Sequence, residues 1–510
     1  MVKLNWTTKI QPDINKLKTQ DFEPLQIVET FDSPINEKVK SSRQSTSLGI
    51  SDDWYNLLIW GNNISAMGSL LKDFTGKINL IYIDPPFATG GDFNLKIQIG
   101  EEDKSKKQVL LNQKAYSDNW KEGLEFYLNF MYERLCFMKE LLSDKGSIYV
   151  HLDWHVGHYI KILMDEVFGE DNFRNEIIWA YPAASVKTRN FFIRSFDIIL
   201  FYTKSETYVF NDDPNIYMEY SDRVKNALKR DEKGIYYYRG GSHNGKKLSR
   251  KVYITHNGIF PRDVWNDIPY IRANTKEYQG FSTQKPELLL KRIILASSNK
   301  GDLVTDFFCG SGTTLAVAEK LERRWIGCDV TKHAIHIVKK RLLDIANSNS
   351  LIKKKTKFNK GFQPFKTLQT KTPINKPEIP QDFLRKKIQN SIEFNNLEKP
   401  EFTIDIKIKS NEVIIELRDY IIPYVDLISE KVKAQVKSFS DWIDFWAINF
   451  NHVPEIFNTE WVSFRTPKNR ELKLISSPFI YKISGNYTIS IKVIDILGTE
   501  SIQNYEIRIK

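Results

Sequence analysis

The residues Asp84, Pro85, Pro86 and Phe87 directly follow an apolar run, INLIYI, that is typical of a buried strand. Asp84 supplies a carboxylate acceptor, and the rigid prolines allow a backbone carbonyl to point into the same space. Two acceptors side by side fit the two hydrogens of an exocyclic amino group, and Phe87 offers a face for stacking a planar base. A base inside a duplex cannot reach such a pocket, so the pattern predicts a base that is flipped out.

A second group of residues lies in the stretch DLVTDFFCGSGTT, which is typical of a strand, a Gly-rich turn and a helix. Gly310 and Gly312 permit a tight turn and a close approach of a ligand. Asp306 can meet an ammonium while the N–H groups of the loop meet a carboxylate. Asp329 ends the next strand, where an acid can accept both ribose hydroxyls of a nucleoside cofactor. The other interpretation is a simple turn, because glycines mark turns in every class of fold.

Short apolar runs that alternate with longer amphipathic ones must position both groups of residues. The runs NLLIW, INLIYI, SIYVHL and DLVTDF are predicted to be strands, and the stretches between them are predicted to be helices. This alternation predicts an α/β fold with a doubly wound, largely parallel sheet. The predicted divisions are an N-terminal extension (1–50), two halves of one α/β domain (51–203 and 281–347), an insertion (204–280), a basic linker (348–399) and a β-rich, immunoglobulin-like unit (400–510). Within that last unit, SDWIDFWAINF is predicted to be helical.

The composition describes a globular protein with a surplus of positive charge. The 510 residues are 41% hydrophobic, and 74 Lys and Arg against 63 Asp and Glu give a net charge of +11. This surplus suits a polyanionic partner, although solubility alone explains much of it. Three scattered cysteines without a C-x-x-C pair exclude a disulfide framework and indicate a reducing interior. Because no apolar run has the length of a membrane span or the form of a signal peptide, we expect a cytoplasmic protein.

The order of the two motifs resembles that of amino-group DNA methyltransferases that use S-adenosylmethionine. In the β class of that family the catalytic motif comes first, a variable segment follows, and the cofactor loop comes last. The stretch GFSTQKPELLLKRIILASSNKGDLVTDFFCGSGTT is similar to the joined helix-and-loop signature of the family along its whole length. The resemblance covers about residues 54–345 and is greatest to the modification subunits of type III restriction systems and related stand-alone enzymes. It implies a Rossmann-like methyltransferase fold with an inserted target-recognition segment.

The resemblance also implies a role for individual residues. Asp84 to Phe87 would form the catalytic motif, and Asp329 would bind the ribose of S-adenosylmethionine. The residues implied to hold the methionine part are Asp306, Phe308, Gly310, Ser311, Gly312 and Thr313 from the loop, with Thr283, Gln284 and Lys285 on the other side. Asn62 stands where many members carry an Asp near the cofactor's adenine, and an amide can still hydrogen-bond an adenine edge.

The inserted segment contains IYYYRGGSHNGKKLSRKVY, in which basic and aromatic residues are interleaved. By composition alone, a solvated hairpin is the simpler interpretation. Its position between the catalytic motif and the cofactor loop makes it the expected target-recognition segment, where phosphate contacts position the protein and base contacts specify. The expected DNA-binding residues are the basic ones, Arg239, Lys246, Lys247, Arg250 and Lys251.

Two further stretches allow more than one interpretation. HLDWHVGH brings together His151, Asp153, His155 and His158, which are metal-ligand types. The inferred chemistry needs no metal and we expect none; a cofactor or DNA contact and a structural polar cluster both stay open. The long polar stretch after Phe87, FATGGDFNLKIQIGEEDKSKKQ, is either a mobile loop over base and cofactor or an ordinary surface loop.

The resemblance implies site-specific methylation of double-stranded DNA with S-adenosylmethionine as the methyl donor. In this family, Asp in the first catalytic position goes mostly with adenine N6 and Ser with cytosine N4, so Asp84 favours adenine. The alternatives are a cytosine-N4 methyltransferase, an RNA adenine methyltransferase and a non-catalytic DNA-recognition subunit of a defence complex. The expected partners are DNA, a restriction subunit with helicase or nuclease activity, and a second copy of the chain as a homodimer.

Overall fold

The computed structural model describes residues 3–10, 22–32, 54–100, 110–118, 120, 123–182, 190–243, 246–254, 258–353, 355–371, 400–423 and 425–510. Side chains are described in these ranges except at 92–96, 110–117, 241–243, 246–248 and 427. The α-helices are α1 (Asn63–Phe74), α2 (Leu124–Leu141), α3 (Gly157–Phe168), α4 (Asp222–Asn226), α5 (Glu287–Ser297), α6 (Thr313–Lys320), α7 (Lys332–Leu343) and α8 (Glu430–Lys433). In the described ranges, no helix is long and apolar enough to cross a membrane.

The strands fall into one large sheet and several small ones. In chain order they are β1 (Gln26–Phe31), β2 (Asn56–Trp60), β3 (Ile78–Ile83), β4 (Asp92–Gln98), β5 (Leu110–Ser117), β6 (Leu142–Leu152), β7 (Phe173–Ala180), β8 (Phe196–Thr203), β9 (Lys229–Asp231), β10 (Gly234–His243), β11 (Lys246–Tyr253), β12 (Val264–Trp265), β13 (Leu303–Asp306), β14 (Arg324–Asp329), β15 (Phe365–Gln369), β16 (Glu401–Lys409), β17 (Glu412–Ile421), β18 (Ile443–Asn449), β19 (Phe457–Thr459), β20 (Trp461–Phe464), β21 (Phe479–Ile480), β22 (Gly485–Asp495) and β23 (Glu500–Ile509).

The large sheet has the strand order β12-β7-β8-β6-β3-β13-β14-β2-β15-β1-β19. Its centre, from β6 through β3, β13, β14 and β2 to β15, is parallel. Parallel strands are buried on both faces, which is why INLIYI and its neighbours are continuously apolar rather than alternating. Helices α1, α2 and α3 pack on one face and α5, α6 and α7 on the other. This arrangement confirms the predicted α/β, doubly wound fold.

The large sheet extends beyond the predicted α/β domain at one edge. Strand β15, which the sequence analysis assigned to the basic linker, pairs with β2 in parallel and with β1 in antiparallel orientation. Strand β1 comes from the predicted N-terminal extension, and β19 from the C-terminal unit pairs with it. The run FKTLQ is only five residues long and carries a lysine, so its apolar signal is weak although Phe365 and Leu368 are fully buried.

The insertion forms a small antiparallel sheet of its own, β11-β10-β9, and contributes β12 to the far edge of the large sheet. The C-terminal residues form two further sheets, β16-β17-β21 and β20-β18-β22-β23, which share one hydrophobic core. We call residues 400–510 the C-terminal β unit. The stretch predicted to be helical is a single 3-10 turn, Phe439–Trp442, followed by β18. Almost every residue of β18 is buried, so the strand shows no alternation by which the sequence could reveal it.

Candidate active site

Four polar residues from distant parts of the sequence meet at one edge of the large sheet. Asp84 follows β3, Asp306 ends β13, Asp329 ends β14, and Asn62 lies just beyond β2. These four strands are adjacent and parallel, so their carboxyl ends lie side by side in that order. Ligands bind at the carboxyl ends of strands in open α/β sheets. The fold therefore assembles the residues of both predicted motifs into one site.

The carboxylate of Asp84 has two oxygens in different environments. Oδ2 lies 2.5 Å from Nζ of Lys285, and the two side chains are only 19% and 11% exposed. Oδ1 is buried and has no hydrogen-bond partner in the described part of the chain. Nζ of Lys285 also lies 5.4 Å from the centre of the Phe87 ring. Between Asp84 and Phe87, Pro85 is buried and Pro86 half-buried, which agrees with a rigid, closed motif.

Phe87 rests on a hydrogen-bonded network at the base of the site. Its ring stacks on His151 with centroids 6.2 Å apart and an interplanar angle of 19°. The Nδ1 atom of His151 lies 2.8 Å from the Tyr82 hydroxyl, and Nε2 lies 3.0 Å from Oδ2 of Asp197. The Tyr181 hydroxyl donates to the other oxygen of Asp197 at 2.8 Å. Asp197 and Tyr181 carry no local motif, and only the antiparallel pairing of β8 with β6 and β7 reveals their position.

The histidine cluster of the sequence is divided in the structure. His151 belongs to the network under Phe87, whereas Nδ1 of His155 lies 2.5 Å from Oδ2 of Asp153. His158 is exposed on α3. Burial raises the pKa of Asp153, although its contacts with His155 act in the opposite direction. These side chains do not converge on one point, so the arrangement favours structural roles and leaves His151 as the member that contacts the catalytic motif.

The Gly-rich loop has a backbone that requires glycine at two positions. Gly310 and Gly312 have φ angles of +48° and +72°, in the left-handed region. A Cβ atom on Gly312 would lie 2.7 Å from a methyl carbon of Val338, so the position is closed to side chains as well. Helix α6 begins directly after it, at Thr313, and its hydroxyl donates to the carbonyl of Lys285 at 3.1 Å. The loop therefore leads into a helix N-terminus, whose N–H groups point toward the site.

Buried charged side chains hold the same Gly-rich loop in place. Arg341 donates to the Ser311 carbonyl and to the Thr313 hydroxyl, each at 3.0 Å, and to Glu287 at 2.9 Å. Lys320 donates to the other oxygen of Glu287 at 2.7 Å. Burial alone would raise the pKa of Glu287, but the charges of Lys320 and Arg341 outweigh it and lower the pKa. The sequence analysis missed this cluster because its members come from three helices.

Asp306 is a buried acid with an unusual proton affinity. Its Oδ1 accepts from the Phe308 N–H at 3.0 Å, and its Oδ2 accepts from the Thr314 hydroxyl at 2.6 Å. Burial raises the pKa of Asp306 to about 7, and the charges of Asp84 and Asp329 act in the same direction. An acid in such surroundings is stabilised in its charged form by a cation, which agrees with its predicted contact with an ammonium.

Asp329 and Asn62 also make local contacts. The Oδ2 atom of Asp329 accepts from the Gly310 N–H at 2.9 Å, and Oδ1 accepts from the N–H and hydroxyl of Thr331, both at 2.9 Å. A carboxylate has about four acceptor sites, so capacity for a ribose hydroxyl remains. The side-chain oxygen of Asn62 accepts from the Ile64 N–H at 2.8 Å and caps α1. Asn62 thus has a structural role beside its predicted contact with adenine.

The three residues before α5 have different surroundings. Lys285 pairs with Asp84, as described above. Gln284 is buried, and its side chain accepts from the Gln279 N–H and donates to the Glu277 carbonyl, both at 2.7 Å. These contacts join Gln284 to the end of the insertion, and its contact with the methionine part stays a prediction. Thr283 is half-buried next to them.

The predicted DNA-binding residues lie on the β10–β11 hairpin. Arg239 and Arg250 face each other as directly opposite partners, and both are exposed. Like charges directly opposite on a sheet repel, so this pair favours an anionic partner. Lys251 is already paired with Asp231 at 2.8 Å. Only the backbone is described for the other two basic residues, Lys246 and Lys247.

Asp118 fixes the segment that follows the catalytic motif. It is fully buried, and its carboxylate accepts from the N–H groups of Ala88 and Thr89 at 2.9 and 2.8 Å. It also accepts from the Trp120 indole N–H at 3.1 Å. Ala88 has a φ of +57°, so the carboxylate holds a turn that a non-glycine residue seldom adopts. The sequence analysis missed Asp118 because it stands far from Phe87 in the chain.

Exposed aromatic residues form a rim beside the site. Trp154, Phe191 and Phe192, here called the aromatic rim, are 43%, 58% and 100% exposed. The guanidinium of Arg194 lies 3.8 Å from the Trp154 ring. Strand β8 begins beside the end of β6, since the two are antiparallel, and this puts the rim at the same sheet edge as Asp84. The apolar run FFI between the polar residues of TRNFFIRS is the signal that could have revealed it.

Comparisons with known proteins show the family to which the chain is similar. A family model described as DNA methylase matches residues 78–340. The type II methyltransferase M.EcaI of Enterobacter cloacae is 32% identical over 329 residues, which cover 56% of this chain and 69% of that protein. The DNA adenine methyltransferase YhdJ of Escherichia coli K12 is 30% identical over 286 residues, covering 56% and 82%. The probable type III restriction-modification enzyme HindVI Mod subunit of Haemophilus influenzae is 27% identical over 382 residues, covering 54% and 48%.

The family match spans the strand before Asp84, the insertion, the Gly-rich loop and most of α7. It therefore includes both predicted motifs, in the order that the sequence analysis used, and leaves out β2 and Asn62. The predicted relationship to DNA methyltransferases, including modification subunits of restriction systems, is confirmed. The chain belongs to the DNA methylase family and is a DNA methyltransferase.

Proposed function

We propose that the chain transfers the methyl group of S-adenosylmethionine to the N6 amino group of an adenine in double-stranded DNA. The observation that carries the proposal is Oδ1 of Asp84, a buried oxygen without a hydrogen-bond partner in the described chain, in a site bounded by Phe87. A buried acceptor without a donor is costly. The amino group of a base stacked on Phe87 would supply that donor.

The residues of the chain account for activation of the amino group. Its nitrogen lone pair is delocalised into the base, and hydrogen bonds to Asp84 and to the Pro85 carbonyl favour a tetrahedral nitrogen. The nitrogen becomes positive in the transition state, so the carboxylate stabilises that state more than the ground state. Lys285 holds Oδ2 of Asp84 at 2.5 Å and thereby keeps Oδ1 for the substrate. Phe87 fixes the plane of the base.

The strand ends fit S-adenosylmethionine, which supplies an electrophilic methyl group when bound. Asp306 would hold the ammonium, and its raised pKa supports this role because burial leaves the acid in need of a cation. The N–H groups after Gly310 would hold the carboxylate at the start of α6. Asp329 would bind the ribose and Asn62 the adenine. The lack of space for a side chain at Gly312 supports a loop whose backbone the cofactor can approach closely.

Two surfaces support DNA as the substrate. Arg239 and Arg250 on the β10–β11 hairpin offer paired positive charges that suit phosphates. The aromatic rim offers flat, exposed side chains at the sheet edge that holds Asp84, where unstacked bases can be received. The hairpin belongs to the insertion, which we propose to be the target-recognition segment.

The test of the reaction is transfer of a labelled methyl group to plasmid DNA, followed by digestion and identification of the modified nucleoside by mass. N6-methyl-2′-deoxyadenosine from the wild-type protein is expected. Asp84→Ala should lower kcat by at least about 10²-fold, as expected for loss of a group that stabilises developing charge. N4-methylcytosine alone would contradict the choice of base, and equal label from both proteins would contradict the role of Asp84.

The choice of adenine rests on Asp84 and on the name of the relative YhdJ, a DNA adenine methyltransferase. We further propose that the chain acts within a restriction-modification system, because relatives include a type III Mod subunit. A homodimer is the proposed assembly. Co-purification from the native host, with the mass of the complex measured by light scattering, tests both proposals. A monomer without a co-purifying helicase or nuclease would contradict them.

A further inference from the structure

The segment that follows the catalytic motif is embedded in the C-terminal β unit. We call residues 88–100 the strap; it includes β4, which pairs with β5 in antiparallel orientation. Ile99 is 5% exposed and belongs to the same hydrophobic core as Ile415 and Trp446 of the C-terminal β unit. Gly100 next to it is also buried. The end of the strap is therefore packed as a part of that unit, although it comes from the catalytic half of the chain.

The side chain of Arg470 fastens the strap through hydrogen bonds to the backbone of the strap. Its Nε donates to the Gly100 carbonyl at 3.0 Å, and its Nη2 donates to the Gln98 carbonyl at 2.8 Å. Arg470 is 9% exposed, and its own carbonyl accepts from the fully buried Arg465. Hydrogen bonds from a charged donor in a dry contact are among the stronger ones in proteins. Backbone acceptors make the contact independent of the strap's side chains.

Only glycine fits at position 100 in this contact. The φ of Gly100 is +60°, and a Cβ atom there would lie 2.4 Å from Oδ1 of Asp441. Asp441 cannot move freely, because its Oδ2 accepts from the N–H groups of Lys437 and Ser438 at 2.7 and 3.1 Å. The C-terminal β unit thus presents a rigid socket that is matched to the end of the strap.

The strap runs from the catalytic motif past the cofactor loop. At its start, Asp118 holds the turn that follows Phe87. Further along, Ile97 packs against Phe281 and Ile337. Phe281 covers the Gly-rich loop, since a Cβ atom on Gly310 would lie 3.5 Å from its ring. One short segment therefore connects the catalytic motif, the cover of the cofactor loop and the socket at Arg470.

We infer that the C-terminal β unit is a positioning element of the methyl-transfer site, which holds the strap across the cofactor loop, and that Arg470 is the positioning residue that fastens it. The inference rests on the proposed function for the identity of the cofactor. A fastened strap is ordered before the cofactor arrives, so binding does not have to supply that ordering. Loosening the strap should therefore weaken cofactor binding more than it lowers kcat at saturation.

The test uses the full chain and variants on both sides of the contact, Arg470→Ala and Gly100→Val. The control is Arg418→Ala, an exposed residue of the same unit that pairs with Asp405 at 3.1 Å. S-adenosylhomocysteine is the calorimetric probe. Both variants should raise its Kd and the KM for S-adenosylmethionine about tenfold, the range expected when binding must order a loop. Their kcat should stay within about twofold, while Arg470→Lys, which keeps the charge, should restore part of the affinity.

A second measurement reports on the strap without any cofactor. Tryptic cleavage after Lys96 should be faster in Arg470→Ala and Gly100→Val than in the wild type and the control. Because both variants break one contact, the double variant should bind the probe no more weakly than either single variant. Wild-type affinity and cleavage in both single variants would overturn the inference, and so would additive losses. A wild-type protein that binds no S-adenosylhomocysteine would instead refute the proposed cofactor.

Discussion

Lys285 contacts one oxygen of Asp84, and we propose that the other oxygen, which has no hydrogen-bond partner in the described chain, accepts from the substrate. Replacing Lys285 by methionine keeps most of the side-chain volume but removes the cation that orients the carboxylate. We expect Lys285→Met to lower kcat about tenfold or more, because a misplaced catalytic group loses much of its effect. The KM for DNA should change little. Steady-state methylation assays check this, with Lys300→Met, an exposed lysine paired with Glu322, as the control.

If Asp306 holds the ammonium of the cofactor, as we propose, its raised pKa makes cofactor binding dependent on pH. With a pKa of about 7, the acid is largely neutral below that pH and charged above it. Only the charged form attracts an ammonium, so affinity for S-adenosylhomocysteine should fall as pH decreases below about 7. The limiting slope is about tenfold per pH unit, as for one proton taken up on release of the ligand. Calorimetric titration between pH 5.5 and 8 measures it.

The matched variant for this titration is Asp306→Asn, which should bind weakly and without that slope. A wild-type affinity that stays constant across the pH range would show that Asp306 is already charged in the cofactor-free site.

The raised pKa of Asp306 also affects the stability of the cofactor-free fold, and this effect has the opposite direction to that on cofactor binding. Since the folded state holds this proton more tightly than the unfolded chain, Asp306 lowers stability as pH rises from about 4 to about 7.

At the scale of single residues, the sequence predicted the residues at the ends of the parallel strands. Asp84, Asp306 and Asp329 were identifiable because each follows an apolar run and carries its own local pattern. Asp118 and Asp197 were not, because each acts through contacts with a segment far away in the chain. A pattern of spacing records what one segment does; it does not record which other segment packs against it.

At the scale of elements, the β10–β11 hairpin presents Arg239 opposite Arg250. If both contact phosphates, the variant with Arg239→Ala and Arg250→Ala should bind duplex DNA more weakly, and the salt dependence should decrease. Each lost phosphate contact lowers the slope of log K against log salt by about 0.9. Fluorescence anisotropy at several salt concentrations measures the slope, and binding of S-adenosylhomocysteine should be unchanged.

The control for the hairpin is Lys407→Ala, which removes an exposed charge of the C-terminal β unit that pairs with Glu416 at 2.9 Å. An unchanged slope in the arginine variant would show that the hairpin does not contact phosphates.

Prediction of elements from sequence succeeded where the period of the hydrophobic residues was clear, as in α5 and β22. It was less successful for β15 and β18, because a short strand and a fully buried strand show no alternation.

At the scale of the whole molecule, Glu29 joins the large sheet to the C-terminal β unit. Its two oxygens lie 2.9 Å from Lys339 of α7 and 3.2 Å from Lys492 of β22, and Thr459 of β19 donates to it at 2.9 Å. Burial would raise the pKa of Glu29, but the charges of the two lysines outweigh it and lower the pKa. One buried carboxylate therefore neutralises cations from two parts of the fold.

We expect Glu29→Gln to destabilise the protein by about 3–5 kcal/mol, because it removes the carboxylate paired with buried Lys339 and leaves Lys492 with Glu500 alone. Calorimetric unfolding of the wild type should show one transition for both parts, and the variant should lower its Tm. The folded pKa of Glu29 is depressed, so its contribution is present above the ordinary pKa and lost as pH falls through the folded value. The difference between the two proteins should therefore shrink in acid. Two well-separated transitions in the wild type would contradict this coupling.

The position of β19 has a consequence for how the protein is made. The ribosome synthesises β1 long before β19, and β1 keeps an unpaired edge toward that side until residues 457–459 emerge. An open strand edge is a template for aggregation, so a nascent chain needs protection there. Arg470 follows β19 closely in the sequence, and the strap is fastened only after it has been made. Pairing of β1 with β19 and fastening of the strap by Arg470 are thus late events in the synthesis of the chain.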